Sequence, residues 1–124
     1  MPKLEIAATS LEDVLNAQKG GANSVEISHD LSLGGLTPDF DLVRRACAAS
    51  QIDIHVMIRP HARSFVYDSQ DTAQILEDAH QLAQTGIQGV VFGALTPENR
   101  LDIDLIKRVA QAATPLPLTL HRAL

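Results

Sequence analysis

Asp53-Ile54-His55-Val56-Met57-Ile58-Arg59 places aliphatic β-branched residues at every second position, and its reading decides the fold. Side chains along a strand point alternately to opposite faces, so Ile54, Val56 and Ile58 share one face and His55, Met57 and Arg59 the other. Working outward, Lys3 to Ala7 sets Leu4 and Ile6 against Glu5 and Ala7. Ser24 to Ser28 sets Val25 and Ile27 against Ser24, Glu26 and Ser28, and Leu116 to His121 sets Leu118 and Leu120 against Thr119 and His121. Gly89 to Phe92 completes the strands. An aliphatic face must be covered by helices, which turns Glu5, Glu26, Ser28, His55, Arg59 and His121 toward a common interior.

Helical periods fill the gaps between these runs, as βα units of a parallel sheet require. Ser10 with Asp13 predicts an N-terminus for a helix carrying Leu11, Val14, Leu15 and Gln18, stopped by Gly20-Gly21. Thr37-Pro38 predicts the start of a second helix through Leu42, Val43, Ala46 and Cys47. Asp71 with Gln74 predicts a third, through Ile75, Leu76, Ala79, Leu82 and Ala83 to a C-cap at Gly86, and Ile103 to Ala113 is the fourth. Gly34-Gly35-Leu36-Thr37-Pro38-Asp39 recurs as Gly93-Ala94-Leu95-Thr96-Pro97-Glu98, and Ala17-Gln18-Lys19-Gly20 as Ala83-Gln84-Thr85-Gly86. A duplicated βαβα block explains both and favours a (β/α) barrel over a doubly wound sheet; short turn motifs also recur by chance. No glycine-rich dinucleotide or P-loop fingerprint is present.

Lys and Arg number 10 against 15 Asp and Glu, so any anion site must be local and nucleic acid is an unexpected partner. Four aromatics and no Trp leave little for base stacking. The start of the chain lacks a basic and apolar leader and no apolar run approaches membrane length, so the expectation is a cytoplasmic protein without a membrane partner. Cys47 alone cannot form an internal disulfide, and its helical position predicts a small core residue.

Buried carboxylates, imidazoles and guanidinium cost several kcal/mol each when unpaired. The inward set therefore reads either as ion pairs that fix strand register or as a site. Barrel sites form at the C-terminal ends of strands, where Ser28, Arg59 and His121 lie, with Glu5, Glu26 and His55 a layer deeper. The loop from Arg59 to Asp68, with His61, Arg63 and Tyr67, suits a phosphate or carboxylate, or is simply a solvated basic loop. His29 and His80 read as surface residues.

Leu4-Glu5-Ile6-Ala7, Gly20 to Ile27, Gly34-Gly35-Leu36-Thr37-Pro38, Val56-Met57-Ile58-Arg59-Pro60, Phe65-Val66-Tyr67, Val91 to Thr96 and His121-Arg122-Ala123 together resemble the CutC family, named for copper homeostasis. The resemblance runs the length of the chain and implies a TIM-type barrel, a cytoplasmic location and a role in copper handling, with no reaction attached. It adds Arg122 to the polar positions. Family members typically carry cysteine where this chain has Ser28, and Arg-Gly-Gly-Asp-Phe where it has His61-Ala62-Arg63-Ser64-Phe65. A hydroxyl is a poor substitute for thiolate on Cu(I).

A whole TIM barrel takes about 250 residues and eight strands, so 124 residues provide a single partial barrel domain over 1–124, with roughly five parallel strands and four helices. Its open edges call for a homo-oligomer or a missing C-terminal half. Two functions follow. One is a copper homeostasis protein binding Cu(I) through Met57, His55 and His121. The other is a barrel enzyme on a small anionic metabolite, with Ser28, Arg59 and Arg122 binding it and Glu5, Glu26, His55 and His121 as acid and base.

Overall fold

A computed structural model describes residues 3–120. The elements run β1 (Glu5–Ala8), α1 (Leu11–Lys19), β2 (Ser24–Ile27), a 3-10 turn (Leu31–Leu33), α2 (Phe40–Ala49), β3 (Asp53–Met57), α3 (Ser69–Leu82), β4 (Gly89–Phe92), α4 (Ile103–Ala112) and β5 (Leu118–Leu120). The five strands form one parallel sheet in the order β1-β2-β3-β4-β5. Parallel strands in sequential order, each joined by a crossover of one hand, put every helix on the same face. The result is the partial barrel expected from the alternation.

The core lies between that face and the helices. Val25, Ile27, Ile54, Val56, Val90 and Phe92 from the strands meet Val14, Val43, Ile75, Leu82, Leu105 and Val109 from the helices, all buried. Each such side chain contributes about 1.5–3 kcal/mol by leaving water. On the opposite face Glu5, Ala7 and Thr119 are exposed and Glu26 and His55 half-buried.

Several boundaries differ from the sequence reading, each for a local reason. β1 begins at Glu5 because the Leu4 amide is taken by Asn23 Oδ1 at 2.7 Å, and Leu4 stays 48% exposed beyond the helix layer. Thr37-Pro38 does not open α2: Asp39 is its N-cap, accepting from the Asp41 amide at 2.9 Å, while Thr37 bonds to Arg59 instead. α3 starts earlier than expected, because Asp68 and Asp71 satisfy each other's backbone amides in a capping box. It ends at Leu82, with Gly86 left in a left-handed turn beyond it. β3 pairs only to Met57 and β5 covers Leu118–Leu120; His121 and Arg122 lie outside the described residues. Cys47 is partly buried against the core on the helix side.

Candidate functional site

The inward-facing polar residues fall into two layers. The lower one is built on the starts of β1 and β2. Ser24 Oγ donates to Glu5 Oε2 at 2.6 Å, and His55 Nδ1 lies 2.8 Å from the same oxygen. Burial works against the Glu5 charge, but the hydrogen bonds from Ser24 and His55 and the imidazole's charge outweigh it and hold the carboxyl below its ordinary range. An ionised Glu5 can only accept, so His55 Nδ1 carries the proton. Glu26 sits beside this pair, opposite His55 in the register. Burial, then the charge of Glu5, pushes its carboxyl up, with His55 opposing. Gly89 is required beneath the ring, since a Cβ there would stand 2.9 Å from His55 Cδ2. A cavity of about 510 Å³ lined by Lys3, Asn23 and Asp53 with Glu5, Ser24 and His55 opens at this end.

The upper layer caps the C-terminal ends of β2 and β3. Ser28, Met57 and Arg59 are 2%, 6% and 8% exposed. Gly35, at φ 93°, closes over them: a Cβ on it would lie 3.0 Å from Ser28 Oγ and 3.7 Å from Met57 Cε. The Arg59 side chain turns along the mouth, Nη1 donating to the Leu33 carbonyl at 2.8 Å and the Gly35 carbonyl at 3.2 Å. Its Cζ stands 4.9 Å from the centroid of Phe65. Among the described residues no carboxylate forms an ion pair with Arg59. Among the described residues two carbonyls and the Phe65 ring meet this buried positive charge.

Tyr67 borders this cation, stacked on Phe92 at 6.0 Å and edge-on to His61 at 5.3 Å. Burial pushes its phenol up to about 12; the charge of Arg59 lowers it and that of Asp71 raises it. His61 Nε2 lies 3.0 Å from Asp71 Oδ2. Desolvation opposes the Asp71 charge, yet the bonds from His61 and the Asp68 amide, and the nearby charges of His61 and Arg63, hold its carboxyl low.

The structure thus brings Ser28, Met57 and Arg59 together, and separately Glu5, Glu26 and His55. Arg59 stands four positions beyond His55, about 13 Å at the rise of extended chain. The acid/base set and the anion-binding set do not meet at one atom among the described residues. His29 and His80 are exposed. The His61–Asp71 pair escaped the sequence reading, which took Asp71 only as a helix start; the one available signal was the spacing of Asp68 and Asp71, which reports a cap and not a contact with His61.

The family model described as the CutC family matches residues 2–124. This chain belongs to the CutC family. It is 38% identical over 124 residues to a CutC family protein of Vibrio atlanticus, covering 98% of this chain and 50% of that protein. A CutC family protein of Pasteurella multocida is 39% identical over 121 residues, again at 50% of its length. The crystal structure of the copper homeostasis protein CutC from Streptococcus agalactiae superposes with a TM-score of 0.91 at 30% identity, over 99% of this chain and 60% of that one. The CutC chain described here spans about half the length of the curated relatives it matches.

The family's association with copper can be tested against the donors present. Cu(I) prefers thiolate and thioether. Among the described residues no group of three or more His, Cys, Asp or Glu side chains is placed to hold a metal. Met57 reaches up toward Gly35 and Ser28, whereas the His55 ring is held below by Glu5. Cys47 lies on α2 against the helix-side core, where burial pushes its thiol up and disfavours the thiolate. Met57, His55 and Cys47 therefore do not converge on one resident Cu(I) site. Among the described residues no helix is long and apolar enough to cross a membrane.

Proposed function

We propose that this CutC-family chain supplies the mouth of a (β/α) barrel site that takes a small anion, a carboxylate or phosphate, on Arg59, within the family's role in copper homeostasis. One observation carries the reading: a guanidinium 8% exposed that, among the described residues, faces two carbonyls and no carboxylate. An anion is the group that would complete its coordination. Glu5, Glu26 and His55 lie a layer below this mouth and do not serve as acid or base toward an anion on Arg59. The test is calorimetric titration of the 124-residue chain with inorganic phosphate and with succinate. Arg59→Met is expected to weaken binding by at least about tenfold, as loss of a charge-assisted pair implies. Equal affinity in the two proteins would overturn the reading.

A second reading, favoured by the position of Met57 beside Ser28 beneath Gly35, is transient Cu(I) binding at the same mouth, with Cu(I) as cargo. Restoring the family's cysteine tests it. Ser28→Cys is expected to gain Cu(I) affinity in competition with a chromophoric chelator, and adding Met57→Leu to lose that gain. A Ser28→Cys chain no better than wild type would sink it.

A further inference from the structure

We infer that Tyr67 is the second donor of this mouth: Arg59 Nε and Tyr67 Oη form a two-point clamp for one oxyanion, a carboxylate or a phosphate, and Tyr67 sets its affinity. The inference rests on the anion reading above and deepens it.

Among the described residues, the buried side-chain nitrogen and oxygen atoms left without a partner are Arg59 Nε and Tyr67 Oη. Such orphans are rare in native proteins and mark places where a partner belongs. Both ask for the same kind of partner. Nε–H can only donate. The Tyr67 hydroxyl stays protonated throughout the physiological range, since burial raises its pKa to about 12, so it too is available as a donor. Tyr67 is near enough to Arg59 for the guanidinium charge to act on its phenol, and two such donors call for an acceptor without hydrogens of its own.

The guanidinium geometry narrows the choice. Nη1 is spent on the carbonyls of Leu33 and Gly35. What remains is the side-on face that Nε shares with Nη2, the face that receives a carboxylate or phosphate through two parallel N–H···O bonds. Phe65 covers the flat face of the ion, which restricts approach to the edge.

Tyr67 is fixed before any ligand arrives. Its ring is sandwiched by Phe92 and the edge of His61, and His61 is in turn held by Asp71. A donor immobilised in advance adds affinity without an ordering cost at binding. Asp71 is the acid whose charge reaches this phenol, and its carboxylate is taken up by His61 and the Asp68 amide. His61 and Asp71 are positioning residues.

The experiment compares the wild-type 124-residue chain, Tyr67→Phe and Arg59→Met in thermal melts with and without inorganic phosphate or succinate. Without ligand, Tyr67→Phe is expected to melt at or above the wild-type temperature, because the lost hydroxyl had no partner. With ligand, the wild type gains stability by mass action while Tyr67→Phe gains less, its Kd raised about tenfold. A ligand-free Tyr67→Phe that melts lower, or equal Kd values in wild type and Tyr67→Phe, overturns the clamp while leaving Arg59 as the anchor. If wild type and Arg59→Met both fail to respond to either anion, the anion reading falls and the clamp with it. The stronger of the two probes identifies the source of the oxyanion.

Discussion

Thr37 and Arg59 hold each other through the main chain: the Arg59 amide donates to Thr37 Oγ1 at 2.7 Å, and the Thr37 amide donates to the Arg59 carbonyl at 2.9 Å. These two hydrogen bonds fasten the loop after β2 to the end of β3. It is also why Thr37 is unavailable as a helix cap. Thr37→Val keeps the shape and removes the acceptor, leaving a buried amide unsatisfied, and is expected to cost about 1–3 kcal/mol. Thr37→Ser should restore most of it. Denaturant unfolding of the three proteins measures the difference, and a Val variant as stable as wild type would show the bond to be dispensable.

The contact between Gly89 and His55 gives a second expectation. Gly89→Ala puts a methyl 2.9 Å from His55 Cδ2 and 3.3 Å from the Pro117 carbonyl, so the ring must leave Glu5. A loss of about 1–3 kcal/mol is expected from this overpacking. In the Gly89→Ala background, Glu5→Gln should then cost less than in the native background, where it removes the charge that faces His55; Ser24 keeps an amide oxygen as acceptor in both. Additive losses in the double-mutant cycle would contradict the geometry.

The two acids of the lower layer respond oppositely to pH. Glu5, whose folded carboxyl is held low, stabilises the fold above its ordinary range and loses that contribution as pH falls through its folded value. Glu26, whose folded carboxyl is raised by burial and by Glu5, opposes folding as pH rises through the ordinary range toward its folded value. Glu26→Gln should therefore stabilise the fold at pH 7, by less than about 1 kcal/mol after solvent screening and read as a higher melting temperature, and have no effect near pH 3.5. A Glu26→Gln chain less stable at neutral pH would mean that the charge is needed.

Among the described residues β1 and β5 each have a strand neighbour on one side only. We expect these edges to be satisfied by a second copy or by a chain carrying the rest of the barrel. Native mass spectrometry under reducing conditions should show the isolated chain as a dimer or larger assembly, and Leu120→Pro, which removes an N–H on the side of β5 turned away from β4, should shift it toward monomer. A monomeric wild type with cooperative unfolding would refute this.

Much of the architecture was legible because it is local. The alternation through Ile54, Val56 and Ile58 against His55, Met57 and Arg59 is a property of one strand, and it assigned the helix-covered face correctly. It failed at Leu4 and Leu120, 48% and 41% exposed, because alternation says which way a side chain points and not whether a helix reaches that far. The start of α1 at Ser10 was legible in its spacing to Asp13, whereas α2 and α3 were capped by Asp39 and Asp68, which competed successfully with the nearby Thr37 and Asp71.

By itself, then, the sequence determined a parallel partial barrel with a polar inner face in two layers, since strand period, helix period and their alternation are written in consecutive residues. The tertiary structure decided which atoms of the upper layer are left to bind. The loop carrying Leu33 and Gly35 turns back over the sheet through left-handed residues Asp30, Gly34 and Gly35, and its carbonyls occupy one end of the Arg59 guanidinium. Packing of Tyr67 between Phe92 and His61 brings the other orphaned donor to the mouth. Those contacts join residues far apart in the chain through an irregular loop, where no repeating pattern exists to be read.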